Sequence, residues 1–294
     1  MKKITEKRNN RSNDIDNINI LDALRIINDE DSQVINAIKD KIKSIGQLID
    51  LAIFCLSKKG RIFYVGSGTS GRLGVLDAVE CIPTFSIEPG KIIGIIAGGN
   101  KAMLSAVEGI EDNKEQSIID LKKHKLSSKD LVIGISASGS TPYVLSALNY
   151  ATSIGTKTGF LVCNNINSSI NIDILIEIIV GPEIITGSTR LKAGTATKMV
   201  LNMISTMVMI KQNKTFGNYM VDLKTSNNKL IQRAVNMLSE ILKISDSSSK
   251  ELLIRAKGEV KTAIAMSTKN LSYKQAKKSL DNVFGSLKEI LNNE

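Results

Sequence analysis

The amino-acid sequence predicts an α/β fold in which a parallel five-stranded sheet lies between layers of helices, with a small helical domain at the C-terminus. Two observations support this prediction. Short apolar runs alternate with helical patterns between residues 60 and 180, which is typical of a parallel sheet covered on both faces. Beyond residue 194 the spacing of apolar residues is helical to the end of the chain.

The elements follow from these patterns in chain order. The polar residues 1–33 predict an extended or partly ordered arm, and apolar side chains at helical spacing predict a helix from residue 31 to about residue 58. Short apolar runs predict strands at residues 61–65, 91–97, 131–136, 158–163 and 174–180. Helical patterns separate them at residues 71–80, 102–107, 112–122 and 142–151.

The rest of the chain predicts helices only. A long apolar helix is expected from residue 194 to about residue 211, and a second helix over residues 223–243. A serine-rich break at residues 245–250 precedes a final helical segment. We therefore predict three parts: an N-terminal arm (residues 1–33), an α/β domain (residues 34–244) and a C-terminal helical appendage (residues 245–294).

Composition excludes several classes of protein. The net charge is +10, but the lysines are scattered, aromatic residues make up 4% and tryptophan is absent, so a nucleic-acid surface is not expected. No apolar run reaches the length of a membrane helix, and the charged N-terminus is unlike a secretory signal. Three widely spaced cysteines predict neither a disulfide framework nor a zinc site. We expect a reduced, cytoplasmic protein without a metal, membrane or nucleic-acid partner.

Two hydroxyl-rich turns follow the first and third predicted strands. The first turn, residues 66–71, carries Ser67, Thr69 and Ser70. The second turn carries Ser136, Ser138, Ser140 and Thr141. The carboxyl ends of parallel strands meet at one edge of a sheet, and hydroxyls beside helix N-termini bind phosphate. The two turns therefore predict a phosphate-binding crevice that contains all of these hydroxyl groups.

Longer motifs around these turns resemble a known family. They are GSGTSGRLG (66–74), DAVEC (77–81), VEGIED (107–112), GPE (181–183), GSTRLKAGTA (187–196), FGN (216–218) and MVD (220–222). Together they resemble the N-acetylmuramic acid 6-phosphate etherases, which contain a sugar isomerase (SIS) domain, with the glucokinase regulatory protein as a distant relative. The resemblance runs from about residue 26 to near the C-terminus. It implies an SIS-type sheet, a phosphosugar ligand and a homodimer with sites near the subunit interface.

The resemblance also implies a reaction. The D-lactyl ether at C3 of N-acetylmuramate 6-phosphate is cleaved by elimination and hydration, giving N-acetylglucosamine 6-phosphate and D-lactate in cell-wall amino sugar recycling or catabolism. Such a sequence requires two proton-transfer groups and a phosphate anchor, but no cofactor. By resemblance Glu80 protonates the departing lactate and then activates water, while Glu111 removes the C2 proton. The sequence itself does not decide which glutamate serves which transfer.

The sequence leaves open the roles of two cationic residues. Arg190 and Lys192 either hold the lactyl carboxylate or the phosphate, or stabilise the chain. Ser140 stands where family members can carry arginine, which makes anion anchoring depend more on hydroxyls and backbone amides.

Three other functions are alternatives to the etherase. A noncatalytic phosphosugar sensor is the first of them, although both glutamates are present. A phosphosugar isomerase is disfavoured because the single histidine, His124, lies in a lysine-rich segment, and an NAD enzyme is disfavoured because no acidic residue closes the second strand.

Overall fold

The chain forms two compact units in the computed structural model, which describes residues 3–166, 170–225 and 227–292. The first unit consists of Met1–Val79 and Pro89–Ser205, and the second of Glu80–Glu88 and Thr206–Glu294.

The first unit contains the predicted five-stranded parallel sheet. Its strands are β1 (Ile62–Gly66), β2 (Ile92–Ile96), β3 (Leu131–Ser136), β4 (Lys157–Val162) and β5 (Ile174–Glu177). They lie in the order β2-β1-β3-β4-β5, and each neighbouring pair is parallel. Strand β2 pairs with one edge of β1. The chain then crosses to the other edge of β1, where β3, β4 and β5 follow in turn. This reversal between β1 and β3 opens a crevice at the carboxyl ends of the two strands.

The helices up to residue 211 are α1 (Ile20–Asp31), α2 (Gln33–Lys39), α3 (Ile42–Ser57), α4 (Gly68–Phe85), α5 (Gly99–Leu104), α6 (Lys114–Lys123), α7 (Pro142–Ser153) and α8 (Lys192–Lys211). The last residues of α4 and of α8 belong to the second unit. Helix α8 is long and apolar enough to cross a membrane by length and composition, but 56% of its most apolar window is buried inside the protein. A buried core helix of a globular protein has the same composition.

The two central strands, β1 and β3, are buried along their whole length. Their sequences, IFYVG and LVIGIS, are almost continuously apolar rather than alternating, because side chains on both faces of the sheet contact helices. Gly134 in β3 permits the close approach of α7, since a Cβ atom there would lie 2.7 Å from Leu148 Cδ1. The glycine at position 134 therefore allows α7 to pack directly against β3.

The N-terminal region is more regular than the sequence predicted. Residues 20–31, expected in an extended arm, form α1, which begins where the side chain of Asn19 accepts a hydrogen bond from the backbone N–H of Asp22. The single helix predicted over residues 31–58 is divided into α2 and α3 by a turn at Asp40 and Lys41. The region before α1 is anchored, because Ser12 is buried and its Oγ donates to the carbonyl oxygen of Ile184 at 2.8 Å.

The second unit is built mainly from short helices around its own apolar core. They are α9 (Asn228–Leu242), α10 (Asp246–Arg255), α11 (Val260–Thr268), α12 (Tyr273–Asn282) and α13 (Leu287–Asn292). A hairpin of two short strands, β6 (Thr215–Phe216) and β7 (Tyr219–Met220), precedes them. Fully buried Leu238, Ala263 and Ile264 lie in this core. The predicted boundary between residues 244 and 245 falls between α9 and α10, inside this unit.

Candidate functional site

A cavity of about 310 Å³ lies in the first unit, where β1 and β3 end. Hydroxyl side chains from both predicted turns line it: Ser67, Thr69, Ser70, Ser136, Ser138 and Thr141. These residues are far apart in sequence and meet because β1 and β3 are neighbours in register, with Gly66 paired to Ile135. The structure therefore brings the two turns together in one crevice, at the point where the strand order reverses.

The first turn is tight enough to require glycine at two positions. The backbone N–H of Gly71 donates to the carbonyl oxygen of Ser67 at 3.1 Å. A Cβ atom on Gly66 would lie 2.6 Å from the nitrogen of Gly71, and a Cβ atom on Gly71 would lie 2.8 Å from the oxygen of Gly66. The turn leads directly into α4, so free N–H groups of the first helical turn lie beside the hydroxyls of Thr69 and Ser70.

The second turn contains a chain of hydrogen-bonded hydroxyl groups. Ser136 Oγ lies 2.7 Å from Thr141 Oγ1 and 3.3 Å from Ser138 Oγ, which in turn lies 3.2 Å from Ser140 Oγ. The N–H of Gly139, a residue in the left-handed region with φ of 69°, donates to Ser136 Oγ at 3.1 Å. Ser140 is exposed, is not among the residues that line the cavity, and also accepts a hydrogen bond from Lys3 Nζ.

Glu111 is the predicted catalytic glutamate that lines this cavity. It lies in a single helical turn, Ile110–Asp112, which begins at Gly109. Gly109 has φ of 73°, a backbone conformation that favours glycine, and so sets the direction of the turn that carries Glu111. Glu111 is half-buried, whereas its cavity neighbour Glu108 is exposed.

Glu80, the other predicted catalytic residue, belongs to the second unit by its contacts. It lies on α4, directly before the buried Cys81, and its side chain is exposed. Its catalytic role stays a prediction.

Arg72 and Thr189 line the cavity, although neither was predicted as a site residue. Arg72 lies on the first turns of α4 and is half-buried, with Nη2 donating to the carbonyl oxygen of Ser105 at 3.2 Å. It adds a positive charge to the cavity. The spacing of hydroxyls and carboxylates in the sequence did not indicate either residue. Both lie within motifs that carry the family resemblance, and this was the one feature of the sequence that could have indicated them.

Arg190 and Lys192 are placed in different environments. Arg190 is exposed. The side chain of Lys192 is only 2% exposed, and its ammonium forms an ion pair with Glu30 at 2.5 Å. Glu30 also accepts a hydrogen bond from Asn9 Nδ2 at 2.7 Å. These contacts favour the structural role for Lys192 that the sequence left open.

The beginning of α8 is held by a second buried carboxylate. Glu183 is fully buried and accepts hydrogen bonds from the backbone N–H groups of Lys192 and Ala193, both at 2.9 Å. Burial raises the pKa of Glu183 despite these two hydrogen bonds and the charge of Lys192. For Glu30 burial acts in the same direction, but hydrogen bonds from Lys192 and Asn9 and the charges of Lys192 and Arg11 outweigh it and lower the pKa. The first turn of α8, which follows the loop that carries Thr189, is thus held by two carboxylates.

The cysteines and the histidine lie apart from the cavity lining. Cys55, Cys81 and Cys163 are buried, and none of the three forms a disulfide. Burial raises the pKa of Cys55 to about 11 and that of Cys163 to about 12, so neither is a thiolate near neutral pH. His124 is exposed at the end of α6, as the lysine-rich segment predicted.

Comparison with known proteins extends over nearly the whole chain. Residues 44–152 match the family model described as the glucokinase regulatory protein N-terminal SIS domain, and residues 217–273 match the C-terminal lid domain of that protein. N-acetylmuramic acid 6-phosphate etherase 1 of Bacillus licheniformis is 48% identical, over 98% of this chain and 95% of the relative. The etherases of Staphylococcus epidermidis and Escherichia coli (strain HS) are 47% and 46% identical, with at least 98% of each chain covered.

Solved structures confirm the predicted SIS-type fold. A phosphoheptose isomerase from Francisella tularensis superimposes with a TM-score of 0.52 at 17% identity, covering 66% of this chain and all of that chain. A protein of Escherichia coli CFT073, solved with a bound ligand, superimposes with a TM-score of 0.50 at 19% identity, covering 67% of this chain and 95% of that chain. At these identities the likeness concerns the fold alone.

Proposed function

This chain belongs to the N-acetylmuramic acid 6-phosphate etherases, and we propose that the cavity at the ends of β1 and β3 binds its phosphosugar substrate. The enzyme cleaves the D-lactyl ether of N-acetylmuramate 6-phosphate to N-acetylglucosamine 6-phosphate and D-lactate, a reaction of cell-wall amino sugar recycling. The identity of 46–48% to three relatives of this name, over at least 95% of each chain, supports the assignment.

The observation that carries the site assignment is the meeting of two hydroxyl turns, an arginine and a glutamate in one cavity. A volume of about 310 Å³ suits a monosaccharide derivative. Hydroxyl groups and backbone amides at two helix N-termini supply donors for a phosphate, and Arg72 supplies a charge. A carboxylate beside such an anchor is placed to act on the sugar rather than on the phosphate.

The proposed chemistry is elimination followed by hydration. Opening of the sugar ring gives an aldehyde at C1, which acidifies the hydrogen on C2. A base removes this proton, the C3–O bond breaks, and D-lactate leaves after it is protonated by an acid. Water then adds at C3 of the unsaturated aldehyde, and C2 is reprotonated. Each step after ring opening moves a proton to or from a carboxyl group, so two glutamates suffice for the elimination and the hydration.

We assign the proton transfers to two glutamates and the anchoring to the turns. Glu111, which lines the cavity, is the proposed base for the C2 proton. Glu80 is the proposed acid for the departing lactate and then the base that activates water. Ser67, Ser70, Ser138 and Thr141, with nearby amides, are proposed to hold the phosphate, and the other predicted hydroxyls, Thr69, Ser136 and Ser140, orient them. Arg190, which is exposed, is proposed to bind the lactyl carboxylate.

Release of D-lactate by the purified protein tests the activity, and a serine variant tests the phosphate site. Ser138→Ala removes a donor to a charged acceptor, so KM for N-acetylmuramate 6-phosphate should rise by a factor that corresponds to about 1–3 kcal/mol, with a smaller change in kcat. Ser153→Ala is the matched control, because Ser153 is exposed at the far end of α7 and donates only to the carbonyl oxygen of Tyr150. Equal KM values for the two variants would contradict the placement of the phosphate.

We also propose that the enzyme acts in the cytoplasm as a homodimer. The apolar side chains of Ile20, Leu21 and Leu24 on α1 are 77%, 66% and 55% exposed, which is unusual for three large residues on one short helix. A second copy of the chain is the proposed cover for this face. The substrate itself is a charged, phosphorylated sugar, which suits an enzyme that works on molecules already inside the cell.

A further inference from the structure

We propose that Lys3, in the N-terminal segment, is part of the anion site: its ammonium group adds positive charge to the turn after β3 and strengthens the binding of a phosphate monoester. The inference rests on the proposed function for the location of the phosphate. It assigns to the first residues of the chain a binding role that neither the motifs nor the hydroxyl pattern indicated.

The first observation is a direct contact between Lys3 and the hydroxyl chain. Lys3 Nζ donates to Ser140 Oγ, and Ser140 Oγ lies 3.2 Å from Ser138 Oγ, which lines the cavity. An ammonium group can only donate hydrogen bonds, so Lys3 is the donor and Ser140 Oγ is the acceptor in this contact. The hydroxyl hydrogen of Ser140 is then free to point toward Ser138, and that of Ser138 toward the cavity. Lys3 therefore favours an arrangement in which Ser140 donates to Ser138 and Ser138 donates to a bound anion.

The second observation is that this segment is anchored close to the turn. Thr5 is fully buried, and its N–H donates to Asn164 Oδ1 at 3.3 Å. Asn164 is also buried, and its Nδ2 donates to both Thr5 Oγ1 and the carbonyl oxygen of Ala137, each at 2.9 Å. One asparagine thus joins the N-terminal segment to the second turn. Because Thr5 is fixed two residues after Lys3, the lysine is confined near Ser140 at a reduced entropic cost.

The third observation is the charge of the cavity. Among its lining residues, all of which lie in the part of the chain that the structure describes, the charged side chains are Arg72, Glu108 and Glu111. They sum to one negative charge. The substrate carries a phosphate and a carboxylate, so it brings up to three further negative charges. A cation close to the cavity reduces the repulsion between the substrate and the cavity, even when it does not line the cavity. Lys3 is held beside Ser140 in the second turn, where its ammonium group can have this effect.

The test compares the affinity of three lysine variants for N-acetylglucosamine 6-phosphate, measured by calorimetry at low ionic strength. Lys3→Met should weaken binding about tenfold, the effect of losing one charge-assisted donor. Lys7→Met is the matched control, because Lys7 is exposed in the same segment and the substitution makes the same change in charge. Its affinity should stay within twofold of the wild type. Lys3→Arg should recover most of the lost affinity.

Two further readouts separate a binding role from a structural one. The melting temperature of the ligand-free protein should be the same for Lys3→Met and Lys7→Met. The affinity of the wild type should fall more steeply with added salt than that of Lys3→Met, because one fewer cation is screened in the variant.

Specific outcomes would overturn the proposal. Equal affinities for the Lys3→Met and Lys7→Met proteins would show that Lys3 does not contribute, and a lowered melting temperature without rescue by Lys3→Arg would assign it a structural role. Binding is measured with the product, so the result does not depend on turnover. A wild-type protein that binds the phosphosugar but releases no D-lactate would refute the etherase activity while leaving the inference on Lys3 open to support by the variants. A wild-type protein that releases D-lactate but does not bind N-acetylglucosamine 6-phosphate would refute the inference on Lys3 and leave the etherase activity supported.

Discussion

The Glu80→Gln and Glu111→Gln proteins are expected to lose D-lactate release by at least about a hundredfold, but to fail at different steps. Glutamine keeps the size and shape of the side chain and cannot transfer a proton, so each substitution isolates one chemical role. Abstraction of the C2 proton precedes the departure of lactate. A block at the second step therefore leaves the first step reversible, whereas a block at the first step stops both.

Hydrogen exchange at C2 in heavy water distinguishes the two variants. The Glu80→Gln protein should exchange the C2 hydrogen of N-acetylmuramate 6-phosphate for deuterium while it releases almost no lactate. The Glu111→Gln protein should show neither exchange nor release. Both signals can be followed in one sample by NMR, because the C2 proton and the lactate methyl group are resolved from each other.

Neighbouring carboxylates serve as controls. Asp112→Asn changes an exposed residue in the same short turn as Glu111, and Glu88→Gln changes an exposed glutamate of the segment 80–88 that contains Glu80. Both controls should retain activity within a few-fold of the wild type. If Glu80→Gln abolishes exchange and Glu111→Gln preserves it, the two roles are interchanged. If neither variant slows release a hundredfold, the assignment of both residues is wrong.

The largest expected effect on stability comes from Lys192→Met. The substitution leaves the carboxylate of Glu30, whose side chain is 9% exposed, without its main cationic partner. Breaking a buried ion pair by removing one partner lowers the free energy of unfolding by about 3–5 kcal/mol. Lys39→Met, which changes an exposed lysine at the end of α2, should lower it by less than about 0.5 kcal/mol. Urea unfolding of the two variants and the wild type measures the difference.

A double variant and the pH dependence identify the ion pair as the cause. Glu30→Gln combined with Lys192→Met should recover part of the loss, since the unpaired charge is then absent. The pKa of Glu30 is lowered in the folded protein from 4.5, so the unfolded state binds more protons in acid. The stability that the pair contributes is present above that pH and is lost as the pH falls, so the wild type and Lys192→Met should converge in acid. A constant difference between them would indicate lost packing instead.

The central sheet could be predicted from the sequence because its strands are short, buried and nearly all apolar. The run that became β1 is bounded by Gly60 and Gly66, the runs that became β1 and β3 are both followed by helical patterns, and both hydroxyl turns fall where the predicted strands end. Parallel strands place such turns at one edge of the sheet whatever the details of packing. The cavity therefore contains most of the hydroxyl residues that the sequence had indicated.

The remaining features depend on contacts that local sequence does not encode. Helix α1 was missed because the Asn- and Asp-rich residues 9–19 dominate the composition of the N-terminal region, and because three of the apolar residues of the helix, Ile20, Leu21 and Leu24, are exposed. The partners of the ion pair, Glu30 and Lys192, are separated by 162 residues, and nothing near either residue indicates the other. The contact between Lys3 and Ser140 likewise joins the first residues of the chain to the third strand's turn. Such contacts are set by the tertiary fold and are read only from the structure.

Turnover of N-acetylmuramate 6-phosphate in water enriched with oxygen-18 tests the proposed reaction most directly. Elimination and hydration break the bond between C3 of the sugar and the ether oxygen, so that oxygen leaves with the lactate and a new one comes from solvent. The account predicts D-lactate without the label and N-acetylglucosamine 6-phosphate with one labelled oxygen at C3. Label in the hydroxyl group of lactate and none at C3 of the sugar would mean that the other ether bond is cleaved, and release of no D-lactate at any pH tested would mean that the protein is not an etherase.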